Sequence, residues 1–375
     1  MAHLVYADHA ATTQLDHEAL TAMMPYLTQP YGNPSAAHSM AQPAKEAVKQ
    51  ARRTIASCIG AEPEEIHFTC GGTEANNWAI KGVAFAEDTP AAIATSAIEH
   101  RSVLSSCAAL QRRGFSTTYI PATAEGIVSP AVMEEQMLPN TKLVSVMLAN
   151  NELGTVQPIS ALAEMAHRHG ALFHTDAVAA IGHMPLDVKA LGVDLLSASA
   201  HKFGGPQGVG FLYIKRGTPI TPLLDGGGQE NGLRAGTENV AAIVGMAAAL
   251  QNRTAHMAAH RSHLTHLTTL FLDGLQAAGI TYLHNGGNDR LPGLLSLAFP
   301  TIEAETLLHR LDLLGIAVSA GAACNGGATT VSHVLQSIGL PEEIAASTIR
   351  ISFGVTNTEE DIEAFLSALQ RIFTP

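Results

Sequence analysis

The sequence predicts an α/β protein: a large domain with a mostly parallel sheet covered by helices, and a smaller C-terminal α+β domain. Short apolar runs alternate with helical patterns from about residue 40 to 215, which is typical of βαβ units. A long helical stretch then leads to a second group of strand-like and helical runs. With 375 residues, of which 46% are hydrophobic, the chain can bury one large core and a smaller one.

The elements of the first region follow one another in a regular order. The helical pattern "AKEAVKQARRTIASCI" precedes the apolar runs "EIHFT", "AIATS", "TTYIP" and "KLVSVML", and the helical "ALAEMAHRHG" precedes "LFHTD", "LLSAS" and "GVGFLYI". Parallel sheets bind ligands at the carboxyl ends of their strands. Polar residues follow these runs: Thr73, His100, Asn151, Asp176 and the segment 199–202. We therefore expect a polar site at this edge of the sheet.

The second region begins after a glycine-rich segment and opens with a helical stretch from Val240 to about Ala278. It continues with the strand-like "LLSLAF", "IAVSA" and "TIRISF", which alternate with the helical "AETLLHRLDLLG" and "EEDIEAFLSALQRIF". We place the boundary near residue 255. Residues 15–255 then form the large domain, and residues 1–14 and 256–375 form the small one.

Composition excludes some classes of function. The formal net charge of -12 argues against a nucleic-acid surface, which needs clustered Lys and Arg. The sequence shows no basic leader and no apolar run approaching the length of a membrane span, so we expect a cytoplasmic protein. The four cysteines have no CxxC spacing, which favours a reduced compartment in which any of them could be a working thiol.

Lys202 lies among small and hydroxyl residues in "SASAHKFGGPQGVG". A P-loop places its glycines before the lysine, whereas here they follow it. A lysine at a buried strand end with small neighbours suits a Schiff base with pyridoxal phosphate, and Asp176 in "HTDA" could hold the pyridine nitrogen of that cofactor protonated. Read alone, Lys202 is also compatible with a surface lysine, and Asp176 with a helix cap.

Ten motifs along essentially the whole chain resemble, in order and spacing, the cysteine desulfurases of the fold-type I, class V aminotransferase family of pyridoxal-phosphate enzymes. They are "YADHAATTQL", "YGNPSAAHS", "FTCGGTEANNWAIKG", "AIEHRSVL", "NNELGTVQPI", "HTDA", "SAHKFGGPQGVG", "GGGQENGLRAGTENV", "SAGAACNGG" and "STIRISFG".

The resemblance implies a cofactor site. Lys202 would hold pyridoxal phosphate as a Schiff base and later move the Cα proton of the substrate. The backbone N–H groups of Gly72 and Thr73, at a predicted helix N-terminus, suit the phosphate. Ser199 and His201 would donate further hydrogen bonds to it.

Other roles implied by the resemblance concern the ring, the substrate and the assembly. His100 would stack on the ring and move protons, and Asn151 would contact the ring oxygen side and the substrate. Arg350 would bind the substrate carboxylate, assisted by Asn33. Thr237 resembles the residue that the family supplies to the phosphate of the neighbouring subunit, which implies a homodimer with shared active sites.

Cys324 decides the reaction that the resemblance implies. It lies in "SAGAACNGGATTVSH", a stretch that we expect to form a mobile loop. Its thiolate would attack the sulfur of L-cysteine, leaving a persulfide on Cys324 and releasing alanine. The persulfide would pass to an acceptor such as an iron–sulfur scaffold or a tRNA-thiolation protein. Cys58 and Cys107 lie in more regular apolar runs and are interpreted as structural.

The sequence departs from the family pattern at three places. Ala179 stands where the family has a glutamine that donates to the ring oxygen, so we expect a changed Schiff-base pKa or a replacement water. Gln229 stands where one branch has histidine, and "CNGG" lacks the usual hydroxyl residues. The last two departures leave the choice of partner open.

Three alternatives remain from the sequence. The first is a selenocysteine lyase or an aminotransferase of the same fold, and the second is a weakly active sulfur-relay subunit. The third is a metal site, because His256, His260, His263 and His266 recur at helical spacing, although a solvated helix face is the favoured interpretation. We expect no metal.

Overall fold

The computed structural model describes residues 4–86, 89–320 and 331–373. The helices are α1 (His17–Thr28), α2 (Gln42–Ile59), α3 (Gly72–Phe85), α4 (Arg101–Gln111), α5 (Pro130–Gln136), α6 (Ile159–Arg168), α7 (Val188–Leu191), α8 (Val240–Ala255), α9 (Met257–Ala277), α10 (Ala304–Leu313), α11 (His333–Ser337), α12 (Glu342–Ala346) and α13 (Glu359–Phe373). The strands are β1 (Val5–Tyr6), β2 (Ile66–Thr69), β3 (Ala92–Ser96), β4 (Ser116–Ile120), β5 (Thr141–Ser145), β6 (Leu172–Asp176), β7 (Leu195–Ser199), β8 (Gly210–Ile214), β9 (Leu283–His284), β10 (Leu294–Ala298), β11 (Ile316–Ala317), β12 (Ser319–Ala320) and β13 (Thr348–Ser352).

In the part of the chain that the structure describes, seven strands form the large sheet, in the order β2-β8-β7-β6-β5-β3-β4. The five strands β7, β6, β5, β3 and β4 are parallel to one another, whereas β8 runs antiparallel to both of its neighbours, β2 and β7. Strands β6 and β7 are almost entirely buried, as expected of strands covered on both faces. The predicted mostly parallel sheet is confirmed.

Helices cover both faces of this sheet. On one face, α2 buries a stripe at helical spacing that includes Val48, Ala51, Ile55 and Ile59, and it ends at Gly60 in the left-handed conformation that glycine adopts most easily. On the other face, α3 and α4 pack Trp78 and neighbouring apolar side chains into a separate core cluster. The helices therefore hold the carboxyl ends of the strands in a fixed arrangement.

A second core lies in the C-terminal part of the chain. It joins α9, α10 and α13 with the antiparallel pair β10 and β13. Val5 and Ala7 belong to the same core, because β1 pairs in parallel with β11. The predicted helical stretch is two helices, α8 and α9, and α8 packs on α1 and α2 whereas α9 packs on α13. The domain boundaries stay a prediction, which this separation of the two cores supports.

None of the helices in the described ranges is both long enough and apolar enough to cross a membrane.

Candidate active site

A cavity of about 380 Å³ lies at the carboxyl edge of the large sheet. Its wall includes Ala10 and Ala11 from the N-terminal segment and a residue of β13, so both parts of the chain contribute to it. Nine of the predicted site residues line it: Gly72, Thr73, His100, Asn151, Asp176, Ser199, His201, Lys202 and Arg350. Residues that are far apart in the sequence therefore meet in one site.

Three predicted site residues are not placed in this cavity. Asn33 is exposed, and its side-chain oxygen accepts a hydrogen bond from the backbone of Ser35. Thr237 is also exposed and does not line the described cavity wall. Cys324 lies outside the described residues.

Lys202 follows β7 in a short helical turn, Ala200–Lys202. Its Nζ donates hydrogen bonds to the carbonyl oxygens of Ala10, at 2.6 Å, and Ala11, at 2.8 Å. These carbonyls belong to the N-terminal segment, so two distant parts of the chain fix where the amine lies. The partly buried Lys202 is an amine held against a cavity wall, and the alternative of an ordinary surface lysine does not fit.

Asp176 is the last residue of β6 and is buried. Its Oδ1 accepts a hydrogen bond from the backbone N–H of Val178 at 2.9 Å, and its Oδ2 accepts one from the amide of Asn76 at 2.7 Å. Both carboxylate oxygens thus accept from donors, which fixes the orientation of the carboxyl group. Asp176 therefore presents a well-positioned acid to the cavity.

Helix α3 begins at Gly72, next to the ends of β2 and β7. The unpaired backbone N–H groups of its first turn, and the positive end of its dipole, form a site for an anion. A Cβ atom at Gly72 would lie 2.6 Å from Cγ2 of Val178, so only glycine allows this close approach. Ser199 lies on the far side of the same opening, 3.5 Å from that Cβ position.

His201 adds a neutral ring to this part of the cavity. Its Nδ1 lies 3.1 Å from the hydroxyl of Thr12. Burial, and then the charge of Lys202, lower the pKa of His201 to about 4. The ring is therefore uncharged near neutral pH and carries one N–H donor.

Arg350 brings a guanidinium from β13 into the opposite wall. Its Nη2 lies 2.8 Å from Oδ1 of Asp8, and its Nη1 donates to the carbonyl of Asn151 at 3.2 Å. Its Nε is buried and has no hydrogen-bond partner among the described residues. Asp8 and the carbonyl of Asn151 thus orient the fork, and each Nη nitrogen keeps a second hydrogen that can be donated to a carboxylate.

Two buried acids in the wall were not predicted. Glu99 accepts hydrogen bonds at Oε1 from Ser96 and Met147, and burial raises its pKa to about 8. Glu152 accepts a hydrogen bond from Ser332, and burial raises its pKa to about 7. Each acid adjoins a predicted residue within a quoted motif, "AIEHRSVL" or "NNELGTVQPI". That adjacency was the available signal, but it does not reveal which side chains point inward.

Ala179 lines both the main cavity and a smaller one of about 40 Å³, which also borders Lys202, His9 and His183. The Nε2 of His9 is buried without a hydrogen-bond partner among the described residues, and burial lowers the pKa of His9 to about 4. The position that lacks the family glutamine is therefore next to a small space and a neutral imidazole.

The other cysteines and histidines that drew attention lie apart from the cavity. Cys107 is buried in the apolar cluster between α3 and α4, and burial raises its pKa to about 12. Among the residues with described positions, no three His, Cys, Asp or Glu side chains form a metal site. On α9, His263 bonds to the carbonyl of Asn357 and His266 to Glu359, so these rings have separate partners.

The donor set fits pyridoxal phosphate. The cofactor requires an amine for covalent attachment, an acid for its ring nitrogen and backbone donors for its phosphate. The cavity offers Lys202, the hydrogen-bonded Asp176 and a helix N-terminus whose glycine leaves room that a Cβ would close.

Comparisons with known proteins agree with this arrangement. The family model described as Aminotransferase class-V matches residues 5–365. A cysteine desulfurase IscS of Dictyoglomus turgidum is 46% identical over 370 residues, which cover 98% of this chain and 94% of the relative. One of Methanosarcina thermophila is 45% identical over 369 residues, which cover 98% of this chain and 91% of the relative.

Solved structures are also similar over nearly the whole chain. A NifS-like protein matches with a TM-score of 0.93 at 38% identity and covers 99% of this chain and 100% of its own. SspA in complex with cysteine matches with a TM-score of 0.83 at 38% identity and covers 94% of this chain and 100% of its own.

Proposed function

The chain belongs to the class-V aminotransferase family and is a pyridoxal-phosphate-dependent cysteine desulfurase, and from this premise we propose which residues bind, move protons and accept sulfur. When bound, the cofactor supplies a ring that stores the electrons released at the Cα of the substrate. The observation that carries the assignment of residues is the meeting of Lys202, Asp176 and the start of α3 in one cavity.

We propose that the wall on the large sheet holds the cofactor. Lys202 Nζ is the point of covalent attachment, and the carboxylate of Asp176 holds a proton on the ring nitrogen. The backbone N–H groups of Gly72 and Thr73 bind the phosphate, with Ser199 and His201 as side-chain donors. The neutral state of His201 supports a role as donor, because the phosphate then receives a hydrogen bond without a buried second cation.

The opposite wall is proposed to bind L-cysteine. Arg350 binds the carboxylate of the substrate, and its position in the cavity wall, where Asp8 orients its guanidinium, supports this role. Asn151 contacts the substrate from the same side, since its backbone already orients Arg350. Lys202 Nζ removes the Cα proton, and His100 stacks on the ring and moves protons. Asn33 is exposed, so its proposed assistance to Arg350 requires the chain around it to move or a second subunit to approach.

Cys324 is the proposed sulfur acceptor. Its thiolate attacks Sγ of the substrate: an S–S bond forms, the Cβ–S bond breaks, and the electron pair of the broken bond remains on carbon. Cβ then takes up a proton, Lys202 Nζ returns a proton to Cα and alanine leaves, so the step requires no external oxidant. The terminal sulfur of the persulfide passes to an acceptor protein, for which we propose an iron–sulfur scaffold or a tRNA-thiolation protein. A reducing compartment such as the cytoplasm suits this thiol chemistry.

We further propose that two copies of the chain share their active sites. Thr237 is exposed and lies away from the cavity of its own chain, which supports its service to the phosphate of a second copy.

Turnover with L-cysteine and a thiol reductant tests this function. We expect the holoenzyme to release alanine and sulfide in equal amounts, and Cys324→Ala to lose this activity. Cys70→Ala is the matched control, because Cys70 is an exposed cysteine outside the proposed machinery. Full activity of Cys324→Ala on L-cysteine would show that the persulfide mechanism is wrong. Activity on selenocysteine alone, or transamination without sulfide, would instead identify one of the related enzymes.

A further inference from the structure

A chain of hydrogen bonds connects Asp176 to His100 through two residues without an assigned role. The amide nitrogen of Asn76 lies 2.7 Å from Oδ2 of Asp176 and 2.8 Å from the hydroxyl of Ser102. That hydroxyl lies 2.8 Å from Nδ1 of His100. All four side chains line the main cavity, and Asn76 and Ser102 are buried.

The direction of each hydrogen bond in this chain follows from which atoms can donate. A carboxylate only accepts, so the group of Asn76 that faces Asp176 must be its NH₂. The second hydrogen of the same NH₂ goes to the oxygen of Ser102, since Asn76 Oδ1 has no partner among the described residues. The hydroxyl of Ser102 can both donate and accept, so the role of Nδ1 of His100 is set by its other neighbour, a backbone N–H that can only donate. The backbone N–H of Ser102 donates to this Nδ1, at 3.2 Å.

These directions determine the tautomer of His100. A ring nitrogen that accepts a hydrogen bond carries no proton, so the neutral ring bears its proton on Nε2. We propose that Asn76 and Ser102 are positioning residues, which use the negative charge of Asp176 to hold His100 in the Nε2–H tautomer. The proposal rests on the proposed function only in taking this cavity as the reacting site.

The tautomer determines which ring nitrogen of His100 can give a proton during the reaction. His100 can give a proton from Nε2, whereas a proton on Nδ1 would break the bond from the backbone N–H of Ser102 and reverse the one from its hydroxyl. The same acid that holds the ring nitrogen of the cofactor thus orients the residue proposed to stack on that ring. Asn76 and Ser102 act through Asp176 and His100 and need no contact with the substrate.

Nitrogen-15 NMR of histidine-labelled holoenzyme tests the tautomer directly. The His100 signals are assigned by their loss in His100→Asn. We expect Nδ1 to show the chemical shift of an unprotonated, hydrogen-bonded nitrogen, and Nε2 that of a protonated one. A protonated Nδ1 in neutral wild-type His100 would overturn the proposal.

Two variants test whether Asn76 and Ser102 orient His100. Asn76→Leu is of similar size and removes both donors, while Ser102→Ala removes only the hydroxyl and serves if Asn76→Leu fails to fold. We expect each to move the Nδ1 shift of His100 towards that of a less hydrogen-bonded nitrogen. The controls are Asn77→Leu, whose amide bonds to a backbone carbonyl of α3, and Ser105→Ala on the exposed side of α4. An unchanged Nδ1 shift in both test variants would contradict the proposal.

Kinetics provide a second readout. Asn76→Leu is expected to lower kcat for L-cysteine about tenfold, with KM changed less than about twofold. Adding Ser102→Ala should cost little more, because both changes break the same chain. If the two substitutions lowered kcat independently and additively, this would contradict the proposal that Asn76 and Ser102 act through one chain of hydrogen bonds. The NMR measurement does not depend on turnover. A protein that has the Nε2–H tautomer of His100 but forms no alanine would contradict the proposed function and leave this inference intact.

Discussion

The two walls of the cavity are built differently. On the wall formed by the large sheet, Asp176, Asn76, Ser102 and His100 bond to one another, and both oxygens of the acid have donors. On the opposite wall, Arg350 lines the cavity with a guanidinium that Asp8 and the carbonyl of Asn151 orient. A wall whose polar groups bond to one another suits a group that stays bound, whereas an oriented cation suits an anionic substrate that enters and leaves.

The largest expected effect comes from removing the amine on the first wall. Lys202→Ala should lower turnover of L-cysteine by at least about 10³-fold, because it removes both the proposed attachment point and the proposed base. The visible absorption of the covalently attached cofactor should disappear with it. Lys189→Ala, which changes an exposed lysine on the far side of the sheet, is the control and should keep both signals.

Changing the second wall should affect substrate binding first. Arg350→Lys keeps the charge and loses the planar fork, so we expect KM for L-cysteine to rise about tenfold or more while the cofactor stays bound. Steady-state kinetics and the visible spectrum measure the two effects separately. If Arg350→Lys released the cofactor and left KM unchanged, the distinction between the walls would be wrong.

The buried acid beneath the first wall predicts a dependence of stability on pH. Burial raises the pKa of Glu99 to about 8 in the folded protein, above its value of 4.5 in the unfolded chain. The folded state therefore binds more protons between these values, and Glu99 makes the free energy of unfolding fall as pH rises from about 4.5 to 8. Glu99→Gln should flatten this slope. Denaturant unfolding at a series of pH values, with exposed Glu164→Gln as control, provides the measurement.

The smallest effect concerns the small cavity beside Ala179. Ala179→Gln restores the amide of the family pattern, and one added hydrogen bond should tighten binding of pyridoxal phosphate about fivefold. Ala179→Leu has similar bulk without the donor and should not. Spectrophotometric titration of the apoprotein with the cofactor compares the variants. Equal affinities for Ala179→Gln and wild type would mean that the position is already compensated.

The sequence predicted the sheet and seven residues of the cavity because both follow from where strands end, whereas Gly72 and Arg350 were predicted only from the resemblance to a known family. Asn76 escaped prediction for a specific reason. It adjoins Asn77 in α3, and only the rotation of the helix against the sheet decides that Asn76 is buried while Asn77 is partly exposed. The carbonyls of Ala10 and Ala11 escaped because a backbone acceptor leaves no mark on residue type. Asp8 was missed because its partner, Arg350, is 342 residues away.

The most direct test of the account is a single turnover without reductant. The holoenzyme is mixed with L-cysteine labelled in its sulfur, and alanine is quantified while peptides are mapped by mass spectrometry. We predict one alanine for each labelled sulfur, with that sulfur held as a persulfide on Cys324. Label on another cysteine, or alanine formed with no sulfur on the protein, would contradict it.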